Sequence, residues 1–133
     1  MKIKKINVWK KDLGNKRPYT IAFKTVSDVA AIFVHLELEE GLYGIGAGNP
    51  SQQVVGESIE DTENAVSHGN IDFLLGRDIR EFYTLQKEVQ EQMPKTPAAR
   101  AAVDIALHDA FTKHLGISLA KFLGQEIDSL PTS

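Results

Sequence analysis

Hydrophobic and polar residues alternate in the first third of the chain. A branched aliphatic residue occupies every second position from 32 to 38, which predicts a β-strand over residues 31–39 with one buried face. Glu40 and Gly41 then predict a turn, and residues 42–47 predict the returning strand of a hairpin. Two earlier strands are expected over residues 3–9 and 19–26. The short connections between these strands favour an antiparallel meander.

The pattern changes to helical spacing beyond residue 50. Ser58 and Asp78 each stand three residues ahead of an acidic residue, which is typical of a helix start. Thr96 is the expected cap of the longest helix, Pro97 occupies its first position, and Gly116 predicts its end. Strands followed by helices, without alternation of the two, predict the α+β class.

Composition narrows the function classes. The chain has 133 residues, the length of a single domain, with a formal net charge of −3 and no cysteine. The charge provides no basic field for nucleic acid, and the lack of thiols excludes disulfides and cysteine nucleophiles. No apolar run has the length of a membrane span, so we expect a cytoplasmic domain without nucleic-acid or membrane partners. A small basic cluster is interpreted as the exposed face of an edge strand: Lys2, Lys4, Lys5, Lys10 and Lys11.

The returning strand is rich in glycine, with Gly41, Gly44, Gly46 and Gly48 at short intervals. A phosphate-binding loop would lead directly into a helix, whereas residues 49–53 intervene here and no Gly-Lys-Ser/Thr follows. Close packing of this strand against a neighbouring backbone is the favoured interpretation, and nucleotide binding is the alternative.

The longest predicted helix carries Arg100, Asp104 and His108 at steps of four residues. This spacing puts the three side chains on one face, where Asp104 and His108 could meet a metal ion. An ion-paired stripe is the favoured interpretation, because an arginine in the row repels a cation. No serine lies in a nucleophile elbow. Local chemistry therefore identifies no catalytic residue and no metal ligand in this chain.

Several motifs in a fixed order resemble the mandelate racemase and muconate-lactonising branch of the enolase superfamily. The more specific one is Ala-Val-Asp-x-Ala-Leu-His-Asp at residues 102–109, and the glycine pattern at residues 41–46 precedes it. The resemblance implies an N-terminal capping domain, built as a three-stranded antiparallel meander followed by a helical bundle. Residues 1–125 would form this domain, and residues 126–133 would be a linker into a (β/α) barrel that is absent from this chain.

Two segments, residues 18–26 and 50–58, are most similar to Ala-Glu dipeptide epimerases of this branch. Those enzymes close two loops over the substrate, and the two segments match the loops. Lys24 stands where the resemblance implies a cation for the substrate's terminal carboxylate. Three further side chains would wall the pocket: Tyr19, Phe23 and Val54. The alternatives are an exposed strand position for Lys24 and core positions for the two aromatic residues.

The resemblance implies a mechanism whose catalytic groups lie in the barrel. There, a magnesium ion held by carboxylates stabilises an enediolate, and lysines move the proton alpha to a carboxylate. The cap excludes water and selects the substrate's tail. The implied whole protein is a magnesium-dependent dipeptide epimerase, a homo-oligomer in which this chain contacts the barrel and the dipeptide. Muconate cycloisomerase, o-succinylbenzoate synthase and a free-standing, non-catalytic binding module are the alternatives.

Overall fold

The computed structural model describes residues 1–12, 19–20, 25–26, 30–50 and 56–124. Its strands are β1 (Ile3–Asp12), β2 (Tyr19–Thr20), β3 (Thr25–Val26), β4 (Ala30–Leu38) and β5 (Tyr43–Gly48). Its α-helices are α1 (Ile59–Val66), α2 (Phe82–Gln92), α3 (Pro97–Leu115) and α4 (Leu119–Phe122). Within these ranges, no helix is long and apolar enough to cross a membrane. The predicted order of strands followed by helices, and with it the α+β class, is confirmed.

β1, β4 and β5 form an antiparallel sheet with β4 in the middle, which is the predicted meander. The five lysines of the basic cluster are exposed on or beside β1, an edge strand, as expected. In the turn between β4 and β5, Glu40 has a φ of 64° and Gly41 a φ of 82°. A glycine adopts this left-handed conformation without strain. Because Glu40 and Gly41 connect two antiparallel strands, the predicted turn is confirmed.

The prediction of a single strand over residues 19–26 is wrong. Tyr19 pairs with Val26 and Thr20 with Thr25 in a separate two-stranded antiparallel sheet. The two ends of the predicted strand therefore face each other, because antiparallel pairing requires the chain to reverse between them. Hydrophobic patterning indicates extended backbone, but it does not say where an extended segment folds back.

One face of the sheet forms the hydrophobic core with the helices. Ile32, Val34 and Leu36 of β4 are fully buried in a cluster with side chains of α2 and α3. Among the described residues, Phe82 is the largest fully buried side chain, and its ring stacks on Phe111 with 4.5 Å between the ring centroids. Burying a side chain of this size contributes about 1.5–3 kcal/mol. The aliphatic face predicted for β4 is the face that is buried.

β5 packs against α3 with almost no side-chain atoms between the two backbones. A Cβ added at any of three glycines would overlap a carbonyl oxygen of the helix: Gly44 with Ala106, Gly46 with Ala102, and Gly48 with Ala98. Two strand residues rise about 6.7 Å and four helix residues about 6 Å, so glycines two apart stay beside alanines four apart. The predicted close packing of the glycines against a neighbouring backbone is confirmed.

The helix ends follow most of the predicted signals. Ser58 caps α1 in a reciprocal capping box with Asp61. α3 ends just before Gly116, which has the expected left-handed conformation. Thr96 precedes α3, but its side chain makes no capping hydrogen bond, so that prediction is wrong. The first N–H groups of α3 bond to the side chain of Glu57 instead.

Candidate functional site

The segments that resemble substrate loops, residues 18–26 and 50–58, follow strands that reach the same end of the sheet. Asp12, the last residue of β1, pairs with Ala30, the first residue of β4, so residues 13–29 connect the two strands at this end. Gly48, the last residue of β5, lies beside the same end of β4, and residues 51–55 follow shortly after it. We call this the loop end of the sheet and define it by Asp12, Ala30 and Gly48.

The predicted substrate-binding residues belong to these two segments. Lys24, Phe23 and Val54 lie outside the residues that the structure describes. Tyr19 lies in β2, but its side chain is outside that description as well. The described strands bring the roots of both segments together, and the roles of the four side chains stay predictions.

The long helix α3 begins at the loop end. It runs antiparallel to β5, since Gly44 near the start of the strand lies against Ala106 and Gly48 at its end lies against Ala98. The N-terminus of a helix carries a partial positive charge, because its first N–H groups have no partner within the helix. This positive end of α3 therefore lies where β5 ends.

A buried carboxylate occupies that N-terminus. Glu57 is 1% exposed, and its Oε1 accepts a hydrogen bond from the N–H of Ala98 at 2.8 Å. Its Oε2 accepts hydrogen bonds from the N–H of Ala99 at 3.2 Å and from the hydroxyl of Thr62 at 2.5 Å. Burying a charge is costly unless the charge is hydrogen-bonded. Here three donors and the helix dipole stabilise it, so Glu57 joins the start of α1 to the start of α3.

This cap was not predictable from the sequence, because its two partners are far apart along the chain. Glu57 and Ala98 are separated by 41 residues, whereas capping rules consider only the residues next to a helix. The available signal was Thr62, a polar residue four positions before Val66 on the buried face of α1. A buried hydroxyl needs a partner, and here the partner is the Glu57 carboxylate.

The outer face of the sheet carries a row of rings that begins near the loop end. Trp9 stacks on Phe33 with 5.4 Å between the centroids, and His35 stacks on Tyr43 at 5.0 Å. Trp9 and Tyr43 are 39% and 45% exposed, so part of this row meets solvent. Cross-strand pairs of this kind stabilise a sheet by about 0.2–1 kcal/mol each. The row accounts for the ring-bearing positions of β4 that face away from the core.

The polar row on α3 holds this helix to its neighbour. His108 Nδ1 lies 2.8 Å from the carbonyl oxygen of Asp104 and 3.5 Å from its Oδ2. The Gln86 amide of α2 donates a hydrogen bond to Asp104 Oδ1 at 2.9 Å. Arg100 donates to the carbonyl oxygen of Met93 at 3.2 Å instead of pairing along the row. Among the described residues, no group of three His, Asp or Glu side chains is arranged to hold a metal ion.

A cluster with shifted pKa values lies at the opposite end of the sheet. Hydrogen bonds from the side chain and the backbone of Arg80 hold the pKa of Asp78 well below its usual range. The Glu88 carboxylate accepts a hydrogen bond from Arg77 and raises the pKa of that guanidinium. Asp78 forms a backbone β-bridge with Lys2, which lies just before the start of β1. The length of β1, about 30 Å, therefore separates this cluster from the loop end.

Known proteins with similar sequences and structures identify the family of this chain. Residues 5–124 match the family described as "Mandelate racemase / muconate lactonizing enzyme, N-terminal domain". The chain is 50% identical over 133 residues to an L-Lys-D/L-Arg epimerase from Desulforapulum autotrophicum, covering all of this chain and 38% of that protein. The structure aligns, with a TM-score of 0.95 and 42% identity, to a dipeptide epimerase from Methylococcus capsulatus complexed with Mg and the dipeptide L-Arg-D-Lys. That alignment covers 100% of this chain and 38% of the other.

A more distant relative shares the same fold. A substrate-liganded L-Ala-D/L-Glu epimerase from Bacillus subtilis aligns with a TM-score of 0.87 and 27% identity, over 93% of this chain and 34% of that one. This chain thus spans little more than a third of the length of the relatives that it matches. The resemblance noted in the motifs is confirmed: the chain belongs to the mandelate racemase / muconate lactonizing enzyme family and carries its N-terminal domain.

Proposed function

We propose that this chain is the capping domain of a magnesium-dependent dipeptide epimerase. The observation that carries the proposal is the common origin of residues 13–29 and 51–55 at the loop end, in a domain whose relatives are dipeptide epimerases. Two segments rooted side by side can cover one pocket together, whereas segments at opposite ends of a sheet cannot. A cover of this kind excludes water, and charges in a drier site interact more strongly.

The greater length of the relatives supports the domain arrangement in the proposal. The chain spans 38% of the L-Lys-D/L-Arg epimerase that it resembles. Residues 1–125 form the cap, residues 126–133 form the linker, and a (β/α) barrel supplies the catalytic groups and the magnesium ligands. The resemblance implies that the metal ligands and the reaction steps lie in the barrel, so none of them is assigned to this chain. As the resemblance implies, we expect the whole protein to be a homo-oligomer.

Four side chains of the two segments are assigned to the substrate. Lys24 supplies a positive charge for the terminal carboxylate of the dipeptide, and as a lysine it acts as a point charge without the planar fork of arginine. Tyr19, Phe23 and Val54 wall the pocket and keep water from that ion pair, which strengthens it. No catalytic residue is assigned in this chain.

The substrate class is proposed to be dipeptides with cationic side chains. The support is the difference in identity, which is 50% and 42% with two L-Lys-D/L-Arg epimerases and 27% with an L-Ala-D/L-Glu epimerase. The compared region is the cap, which selects the substrate in this proposal. Lys24 then serves the terminal carboxylate that every dipeptide carries. L-Ala-L-Glu is the alternative substrate, in line with the resemblance of residues 18–26 and 50–58.

NMR of α-proton exchange in heavy water tests the function in the full-length protein. The protein is incubated with magnesium and with L-Lys-L-Arg, L-Ala-L-Glu or an uncharged dipeptide. The fastest exchange is expected with L-Lys-L-Arg, and a chelator should abolish it. Fastest exchange with L-Ala-L-Glu would keep the epimerase and change its substrate. If a folded protein that binds magnesium exchanges the α-proton of no dipeptide, the epimerase activity is rejected. Muconate cycloisomerase and o-succinylbenzoate synthase activities then remain as the alternatives.

The variant Lys24→Ala tests the carboxylate assignment. The KM for L-Ala-L-Glu should rise about tenfold, which corresponds to about 1.4 kcal/mol of lost attraction. The KM for L-Lys-L-Arg should rise least, because its positive side chains offset the lost charge. The matched control is Lys11→Ala, which removes an exposed lysine of β1 and should change neither value. A KM that stays unchanged for acidic, neutral and cationic dipeptides alike would remove the assignment.

A further inference from the structure

We propose that Glu57 is a positioning residue of the capping domain. It fixes the starts of α1 and α3 at the loop end, and through this junction it determines how tightly the whole protein binds its dipeptide. The inference rests on the proposed function, and it assigns Glu57 no contact with the substrate or with a metal ion.

The first support is that both oxygens of a fully buried carboxylate are used. One oxygen accepts from the N–H of Ala98, and the other accepts from the N–H of Ala99 and from the hydroxyl of Thr62. The partners belong to two helices, whereas an ordinary cap bonds only to its own helix. Glu57 therefore ties two elements together in addition to satisfying the N-terminus of α3.

The second support is that Ala98 of α3 contacts both Gly48 and Glu57, the residues that flank residues 49–56. The carbonyl oxygen of Ala98 lies against Gly48, so closely that a Cβ at the glycine would overlap it. The N–H of the same Ala98 donates to Glu57. Both ends of this stretch are thus attached to the first turn of α3, and a shift of either attachment would move the place where the stretch begins or ends.

The third support is that stability alone does not require this arrangement. Thr96 stands at the position from which a side chain normally caps α3, and its side chain makes no capping bond. A local cap at Thr96 would satisfy one of the same N–H groups without connecting α3 to α1. In addition, Ser58 caps α1 independently, through its own reciprocal bonds with Asp61. What Glu57 adds is the connection between the two helices.

Variants of the full-length protein separate positioning from simple stabilisation. Glu57→Gln keeps the size of the side chain but replaces one of the two acceptor oxygens by an amide NH2, which cannot accept a hydrogen bond. Glu57→Asp keeps the charge and shortens the reach by one methylene. The control Ser118→Ala removes a capping bond at the start of α4, away from the junction and from both proposed substrate segments. For each variant, thermal unfolding gives Tm, and α-proton exchange gives KM and kcat.

We expect Glu57→Gln to raise KM about tenfold with kcat changed less than about twofold, and Glu57→Asp to give a smaller rise. Ser118→Ala should lower Tm and leave KM unchanged. If Glu57→Gln lowers Tm but leaves KM at the wild-type value, as in Ser118→Ala, the positioning role is refuted and Glu57 is a structural cap. If the wild-type protein exchanges the α-proton of no dipeptide, the proposed function is refuted, and this inference is refuted together with it.

Discussion

Helix α3 contacts the sheet and the other helices in opposite ways. Toward β5 it presents alanines to glycines, and the two backbones touch. Toward α2 it presents Phe111 and His108, whose rings surround Phe82 together with Phe122 of α4. Along the three glycines the first interface has no side chain that can change its rotamer, whereas the second interface can adapt by changing rotamers. The glycine side therefore fixes the distance between helix and sheet, and the aromatic side fills the space that remains.

The two sides also differ in what they position. The glycine side extends to Gly48 and Ala98, at the loop end where the proposed substrate segments begin. The aromatic side lies among the helices and includes Phe122 of the short α4. Substitutions on the glycine side should therefore disturb the site and the fold together, whereas substitutions on the aromatic side should act mainly on stability.

The largest effect is expected from Gly46→Val. A side chain there would overlap the carbonyl oxygen of Ala102, and a helix backbone cannot rotate away from it, so the cost should be about 4 kcal/mol or more. Urea denaturation measures the loss. The matched control is Ala47→Val on the exposed face of the same strand, with an expected change within about 0.5 kcal/mol. Equal effects of the two variants would show that the interface tolerates side chains.

A second test uses the adaptable side. Phe82→Ala removes the largest buried side chain and should cost about 3–4 kcal/mol through lost burial and the cavity left behind. Phe82→Leu should cost only about 1–1.5 kcal/mol, because the neighbouring rings can close on the smaller side chain. Urea midpoints of both variants check the expectation. If leucine costs as much as alanine, the aromatic side is as rigid as the glycine side.

A third test compares the two candidate caps of α3. Glu57→Ala leaves the N–H groups of Ala98 and Ala99 without their partner and should cost about 2 kcal/mol. Thr96→Ala should change stability by less than about 0.5 kcal/mol, since the Thr96 side chain makes no capping bond. Chemical denaturation of the two variants side by side provides the measurement. A larger loss of stability in Thr96→Ala than in Glu57→Ala would show that Thr96 caps α3.

The smallest effect concerns the pH dependence of the cluster far from the loop end. The hydrogen bonds from Arg80 lower the pKa of Asp78 in the folded protein, so its contribution to stability is present above its ordinary pKa of about 4 and is lost as the pH falls below that value. Asp78→Asn should therefore be less stable than the wild type at neutral pH, and the two stability curves should converge in acid. Curves that stay parallel down to about pH 2 would contradict this.

Parts of the fold were predictable because their causes are local in sequence. The alternation around Val34 identifies the buried face of β4, and the glycines of β5 predict close backbone contact, since a strand that loses side chains gains room for a neighbour. Ser58 was recognised as a cap because its partner Asp61 lies three residues away. The fold reversal within residues 19–26 was not predictable, because an extended pattern contains no information about its pairing partner.

The candidate site was predictable only through resemblance. Lys24, Tyr19, Phe23 and Val54 have no local feature that distinguishes a binding residue from a strand residue, so their assignment came from the family and stays a prediction. Glu57 belongs to the segment 50–58 that resembles a substrate loop, but nothing in that resemblance assigned it a role, which emerged from a contact 41 residues apart. A sequence pattern reports which residues are neighbours along the chain, whereas a site consists of neighbours in space.

By itself, the sequence determined the α+β class, the meander, the long helix and the family, because periodicity, turn residues and ordered motifs act over short distances. Only the tertiary structure decided that α3 runs antiparallel to β5, that both proposed substrate segments begin at one end of the sheet, and that Glu57 caps α3. The physical reason is that a buried carboxylate or a glycine contact is stabilised by whatever group the fold brings to it. Separation along the chain adds only a slowly growing entropic cost.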